Sequence, residues 1–341
     1  MILANKVTLK DIGRQAGVTA ATVSYVLSSN KNVSIKKETQ RKVLKIAKEL
    51  GYSQNYLARS FSMNKSSTVG LLISKNLNFY APVVSGVEES LALHHYMLYL
   101  LDVERDKEIE HSINLYRQRR IDGLLIFGPM STAHIELLFQ EQVPFVDLSW
   151  HFEDSRITTV SGNDIRCGEL AGRHLLSLGH RRFAFLTGTG DWNISSKKRF
   201  EGFSKVLKAA GIDHTEDMII QCGWRPEQSY ESTKQMLSRG NVATAMFCYS
   251  DSVAYGALRA LAEAGVKVPQ QISVIGVDDL PFSEYTYPPL TTVKWPGREI
   301  GQMGAETLLE MIDSKDVPFT PRQLLLNPEL KARQSTGVYE G

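Results

Sequence analysis

Cysteine is scarce in this chain: three among 341 residues, Cys167, Cys222 and Cys248, an odd number, far apart, with no CxxC pair. That argues against a disulfide framework or a thiolate metal centre and for cysteines buried as small apolar residues in a reducing compartment. Long apolar runs are also missing. No segment approaches the roughly 20 uninterrupted apolar residues of a spanning helix, so no membrane partner is expected. The N-terminus, MILANKVTLKDI, lacks the apolar stretch and small-residue cleavage site of a secretory signal, which leaves the cytoplasm as the expected location.

Catalytic constellations are missing as well. TGTGDW, residues 187–192, holds a lone GxG without the third glycine or distal acid of a dinucleotide fingerprint. His94 and His95 are neighbours on one helix and point to different faces, which is unsuited to a shared metal. Asp278 and Asp279 diverge at a strand end for the same reason. With no nucleophile, base and orienting group at workable spacing, the reading is a non-enzyme without metal or cofactor.

What the chain does have is an uneven charge. Residues 1–65 carry 12 Lys and Arg against 3 Asp and Glu, a net +9, while the remainder carries 27 against 34, a net −7. A basic module on an acidic body points to phosphate as the partner of the first segment.

That segment reads as three helices. Thr8 and Asp11 form a capping-box pattern before Leu9, Ile12 and Ala16, and Gly17 stops the helix. Thr19 can cap a second helix with Val23, Val26 and Leu27 inward and Ala20, Ala21, Thr22, Ser24 and Tyr25 on the other faces. A third is expected from Ile35, capped by Ser34, to Leu50. Two short helices joined by a Gly-containing turn and braced by a third make a helix-turn-helix. Short side chains at the start of its second helix permit close approach to a major groove, Ala20 and Ala21 to thymine methyls and Thr22 and Ser24 to phosphates.

From residue 66 the pattern changes. Apolar runs at 68–74, 96–102, 121–128 and 143–149 alternate with helical stretches, and a second series follows at 182–188, 218–223, 244–250 and 272–279. Continuous apolar strands separated by helices predict two parallel sheets covered on both faces, with a ligand cleft at their C-terminal strand ends. All four tryptophans, Trp150, Trp192, Trp224 and Trp295, fall just beyond predicted strands. Aromatic faces there suit the apolar faces of sugar rings.

The motifs TLKDIG, AGV, TVS, T-x-x-K-V, LGY and N-x-x-AR-S, in this order over residues 7–61, resemble the N-terminal domain of the lactose-repressor (LacI/GalR) family. RIDGLLIFG, HLLSLGHRRFAFLTG, RFEGF, ISVIGVDD and PPLTTVKWP extend the resemblance to that family's effector core, similar to periplasmic sugar-binding proteins. The resemblance implies a small all-α helix-turn-helix domain at 1–52 and a hinge helix at 53–65. An α/β core of two doubly wound parallel-sheet lobes follows at 66–336, with a tail at 337–341. The first lobe would take 66–161 and a crossover segment after 292, the second 162–291 and the C-terminal segment.

It also implies DNA contacts at Thr8, Thr19, Ala20, Ala21, Thr22, Ser24, Tyr25, Ser34, Asn55, Ala58 and Phe61, the last as an intercalating wedge. Effector contacts would fall on Phe79, Tyr80, Trp150, Ser195, Arg199, Trp224, Ser250, Asp278 and Trp295. Arg199 would fork two hydroxyls or a phosphate, and Asp278 would accept from hydroxyls. Two departures stand out: Tyr25 replaces an Arg common at its position, and Gln54 replaces a Pro. The expected activity is DNA-binding transcriptional regulation, as a repressor, by a homodimer on a near-palindromic operator under a carbohydrate effector. A non-DNA-binding solute receptor is opposed by the basic N-terminal module, and a wound α/β enzyme by the missing catalytic set.

Overall fold

A computed structural model describes residues 7–27, 35–52, 65–73, 77–102, 106–118, 120–128, 130–149, 154–188, 194–213, 218–240, 243–314 and 319–340. It divides into two compact units, Met1–Asn64 and Lys65–Gly341.

The first unit is a three-helix bundle of α1 (Leu9–Ala16), α2 (Ala20–Leu27) and α3 (Lys37–Glu49). Thr8 donates its N–H and hydroxyl to the Asp11 carboxylate while the Asp11 N–H donates back to Thr8 Oγ1, closing the first turn of α1. Gly17 ends that helix at φ +74°, where a side chain would be strained, and Gly13 lets Val18 O approach so closely that a Cβ would sit 2.7 Å from it. Ile12, Ala16, Val23, Val26, Val43 and Ala47 form the core. α3 starts two residues later than the pattern predicts, at Lys37. Its N-cap is Lys36, and the Gln40 side chain donates to Ile35 O at 2.9 Å, which holds Ile35 outside the helix. Ser34, the expected cap, lies outside the described residues.

The second unit contains two six-stranded sheets. The first is ordered β11–β5–β4–β3–β1–β2, with β1 (Thr68–Ile73), β2 (Met97–Asp102), β3 (Gly123–Phe127), β4 (Phe145–Asp147), β5 (Thr159–Gly162) and β11 (Gln323–Leu326). Its strands pair in parallel. Its helices are α4 (Leu77–Leu93), α5 (Asp106–Arg117), α6 (Thr132–Gln140) and α11 (Gly297–Asp313). Alternation along β1 decides which helices cover which face: Val69, Leu71 and Ile73 join the core shared with α4 and α11, whereas Leu72 joins that of α5 and α6.

The second sheet is ordered β12–β10–β9–β8–β6–β7, with β6 (Phe183–Thr187), β7 (Ile219–Gln221), β8 (Ala245–Cys248), β9 (Ser273–Val277), β10 (Thr291–Lys294) and β12 (Glu329–Lys331). Only β12 runs antiparallel within it, against β10. Its helices are α7 (Asp164–Ser177), α8 (Ile194–Ala209), α9 (Pro226–Ser238) and α10 (Asp251–Glu263). The chain crosses between lobes three times: β5 to α7, β10 to α11 and β11 to β12. α7 and α8 touch through glycines. A Cβ on Gly168 would lie 1.8 Å from Arg199 O, and one on Gly202 1.9 Å from Ile165 O.

Candidate functional site

On the first unit, α2 turns Ala21, Ser24 and Tyr25 outward, with Ala20 and Thr22 half-buried and Val23 and Val26 inside. Thr19 Oγ1 accepts the Thr22 N–H at 3.1 Å and lies 2.9 Å from the Thr22 hydroxyl, so the cap fixes the start of the helix. Lys37, Arg41, Lys45 and Lys48 are exposed along α3. Small outward residues at a helix start, flanked by lysine and arginine, suit a major groove and its phosphates. Asn55, Ala58 and Phe61 lie outside the described residues.

In the second unit the chemistry gathers at the C-terminal ends of the strands. Arg199, on the second turn of α8, is only 3% exposed. Its Nε donates to Asp164 Oδ1 at 2.8 Å, its Nη1 donates to the Tyr249 carbonyl, and Asp278 Oδ1 stands 3.5 Å from Nη1. Burial by itself would pull the guanidinium down, but Asp164 and Asp278 outweigh it and hold Arg199 well above its ordinary value. Burial pushes the Asp278 carboxyl well above its usual range against the opposing pull of Arg199. Asp278 follows β9 at φ +120° and Asp279 at φ +56°. Neither Asp278 carboxylate oxygen has a hydrogen-bond partner among the described residues, although both are buried. A strained backbone thus places a buried carboxyl 3.5 Å from a fixed cation.

One aromatic pair lies against this cluster, and a second aromatic group lies in the first lobe. Trp224, just past β7 and 43% exposed, has its ring 5.4 Å from that of Tyr249 in an edge-on contact, and its backbone N–H donates to Gln228 Oε1 at 3.0 Å. In the first lobe Tyr80 on α4 packs its ring against Phe127 at 4.9 Å, and Phe127 lies 5.8 Å from Trp295. Trp295 is buried against the backbone of Gly162, where an added Cβ would fall 2.0 Å from the indole Nε1, so it sits between the first and second crossovers.

Residues 8–55 match the family described as bacterial regulatory proteins, lacI family, and residues 173–336 match the periplasmic binding protein-like domain. The HTH-type transcriptional repressor PurR of Glaesserella parasuis serovar 5 (strain SH0165) is 32% identical over 335 residues, covering 96% of this chain and 98% of that one. The chain belongs to the lacI family of bacterial regulatory proteins. The structure of the lac repressor dimer bound to operator and the anti-inducer ONPF superposes with a TM-score of 0.83 at 28% identity, over 98% of this chain and 100% of that one. The transcriptional regulator CelR–cellobiose complex superposes with a TM-score of 0.74 at 28% identity, over 96% and 99% of the two chains.

As a lacI-family member the protein is a DNA-binding transcriptional regulator governed by a small-molecule effector. Its helix-turn-helix and two-lobed core are those the sequence motifs implied. The structure brings Arg199 and Asp278 together, and Tyr80 and Trp295 through Phe127. Arg199 differs from its expected use: its Nε and Nη1 are directed to Asp164 and Tyr249 O rather than outward as a fork. Ser250 accepts the Val253 N–H at 3.4 Å as the N-cap of α10, and Ser195 is half-buried at the start of α8. Trp150, Trp192 and the Phe79 side chain lie outside the described residues. Sequence reasoning missed Asp164, Tyr249 and Phe127. Asp164 carried a signal, an acid opening a helix right after a strand; Phe127 ends an apolar run and reads as core. Among the described residues no helix is long and apolar enough to cross a membrane, and no cluster suits a metal ion.

Proposed function

We propose that the protein is a cytoplasmic repressor that binds a near-palindromic operator as a homodimer and releases or grips it according to a neutral carbohydrate in the cleft. The observation that carries the ligand class is Asp278, whose buried carboxyl has Arg199 Nη1 at 3.5 Å and no closer side-chain donor among the described residues, beside the Trp224–Tyr249 pair and with a second aromatic group, Tyr80–Phe127–Trp295, in the first lobe. Vicinal hydroxyls supply donors to such a carboxylate while the ring's C–H face stacks on an aromatic. A sugar phosphate fits less well, because the one buried arginine among the described residues already faces two carboxylates. The cellobiose of the CelR complex and the operator-bound dimer of the lac repressor support the same reading.

The homodimer is supported by exposed apolar surface. Leu93, Met97, Tyr99 and Leu100 cluster at β2, an edge strand of the first sheet, and Phe282, Tyr285 and Tyr287 crowd one loop of the second lobe. Contact with DNA is assigned to Thr8, Thr19, Ala20, Ala21, Thr22, Ser24, Tyr25, Ser34 and Asn55. Phe61 is assigned as the wedge at the operator centre, with Ala58 keeping the backbone close.

The test is a titration of tryptophan fluorescence and melting temperature with neutral mono- and disaccharides including cellobiose, sugar phosphates and nucleobases. Neutral sugars should bind, and Asp278→Asn should weaken that binding about 10- to 100-fold, the usual worth of a hydrogen bond to a charged group. Binding of a nucleobase or a sugar phosphate alone would overturn the ligand class.

A further inference from the structure

The motif RIDGLLIFG holds an acid that neither the cleft nor the DNA-binding helix uses. Asp122 precedes β3, and its two carboxylate oxygens reach back to the first residues of the second unit. Oδ1 accepts the Ser66 N–H and Oδ2 the Ser67 N–H, each at 2.8 Å. Two consecutive amides can point at one carboxylate only if the backbone turns, and Ser67 sits at φ +52°, an unusual conformation for a residue with a side chain. The Tyr96 phenol is half-buried near the same carboxylate, and burial followed by Asp122 and Asp313 pushes it up. One residue earlier, Lys65 pairs with Asp313.

The turn leads straight into β1: Ser67 O accepts the Met97 N–H at 2.8 Å and Thr68 O the Asp122 N–H at 2.7 Å. The side-chain grip itself falls on residues 65–67, directly where the second unit begins after Asn64. Every residue of the DNA-binding unit precedes that point. Its second anchor has a long reach: Asp313 ends α11, a 17-residue helix that begins at Gly297 beside the Trp295 crossover and so spans about 25 Å.

We propose that Asp122, with Tyr96 and the Lys65–Asp313 pair, is a positioning clamp that fixes the first residues of the core, so that movement of the first lobe and of α11 is delivered to the DNA-binding arm. Asp122 touches neither operator nor effector in this role. The proposal rests on the family's DNA binding and not on which molecule fills the cleft.

The experiment uses the full-length chain and an operator duplex selected from a random pool by the wild type. Asp122→Ala should weaken operator binding about tenfold, and Lys65→Ala and Tyr96→Phe each about threefold, while the fraction of binding-competent protein stays at the wild-type level. The slope of log K against log salt should also stay unchanged, since the clamp holds no phosphate. A slope reduced by about one in Lys65→Ala would mean direct phosphate contact and would overturn the assignment. So would affinities within twofold of wild type in Lys65→Ala and Tyr96→Phe. Those two milder variants decide the matter even if Asp122→Ala does not fold.

Discussion

Tyr25 stands exposed on the outer face of α2, at the position where the sequence motifs imply an Arg. A phenol offers a groove one donor–acceptor and a flat face, whereas a guanidinium at the same place could bind guanine O6 and N7 together. Selection of half-sites from a random pool should therefore move toward guanine at one position in Tyr25→Arg, by about tenfold or more. Identical half-sites for both proteins would end that argument. A second residue answers to pH. His180 is buried, with Nδ1 3.0 Å from Thr244 Oγ1 and Nε2 2.9 Å from Ser273 Oγ, and burial holds its imidazole below the ordinary value of 6.5. Unfolded chains then bind a proton at this position that the folded protein resists, so the contribution of His180 to stability is full above about pH 6.5 and is lost as pH drops below it. The difference between wild-type and His180→Gln thermal melts from pH 7.5 to 5.5 should isolate this decline, since His174, also lowered by burial, and Asp251, raised to about 6 by burial and opposite in sign, act in both proteins. Much of the site was legible residue by residue, since Arg199, Asp278 and Trp224 lie where motifs and strand ends put them. Asp164 and Phe127 were not, because an acid at a helix start reads as a cap and a phenylalanine in a strand reads as core.

Among the elements, the helix pair α7–α8 carries two of the three buried charges of the cluster, with Asp164 opening one helix and Arg199 in the first half of the other. Gly168 and Gly202 allow each helix to rest on the other's carbonyls, so the ion pair and the helix contact are a single arrangement. Gly202→Ala should force the helices apart, lowering stability by about 1–3 kcal/mol and weakening ligand binding at the same time. Denaturant melts and sugar titration of one variant check both, and a change in stability alone would separate the two roles. The legible elements were those with apolar runs: GLLIF, FAFLT and SVIGV became β3, β6 and β9 almost residue for residue. β5 was not, because TVSG is small and polar, and its burial comes from neighbouring β4 and β11 rather than from its own hydrophobicity. α11 went unread for a related reason. Its Gly297, Gly301 and Gly304 look like helix breakers, yet Gly301 is where Val83 O of α4 approaches.

For the whole molecule, the split of charge between a +9 segment and a −7 remainder sets the salt response. Lysines and arginines that displace counterions should make operator binding fall by about 10³ to 10⁵ between 50 and 200 mM salt if each dimer makes 6–10 phosphate contacts. Gel shifts over that range measure it, and a flat response would contradict the phosphate-facing role of the first unit. The threefold crossing between lobes has a consequence for synthesis. The first sheet cannot be completed until β11 arrives at Gln323–Leu326, after all but one strand of the second sheet has been made. The three-helix unit needs nothing beyond its own early residues for its core. On the ribosome, then, the part that reads DNA is finished first and the part that restrains it last, so a chain broken off late would keep a DNA-reading head without its control.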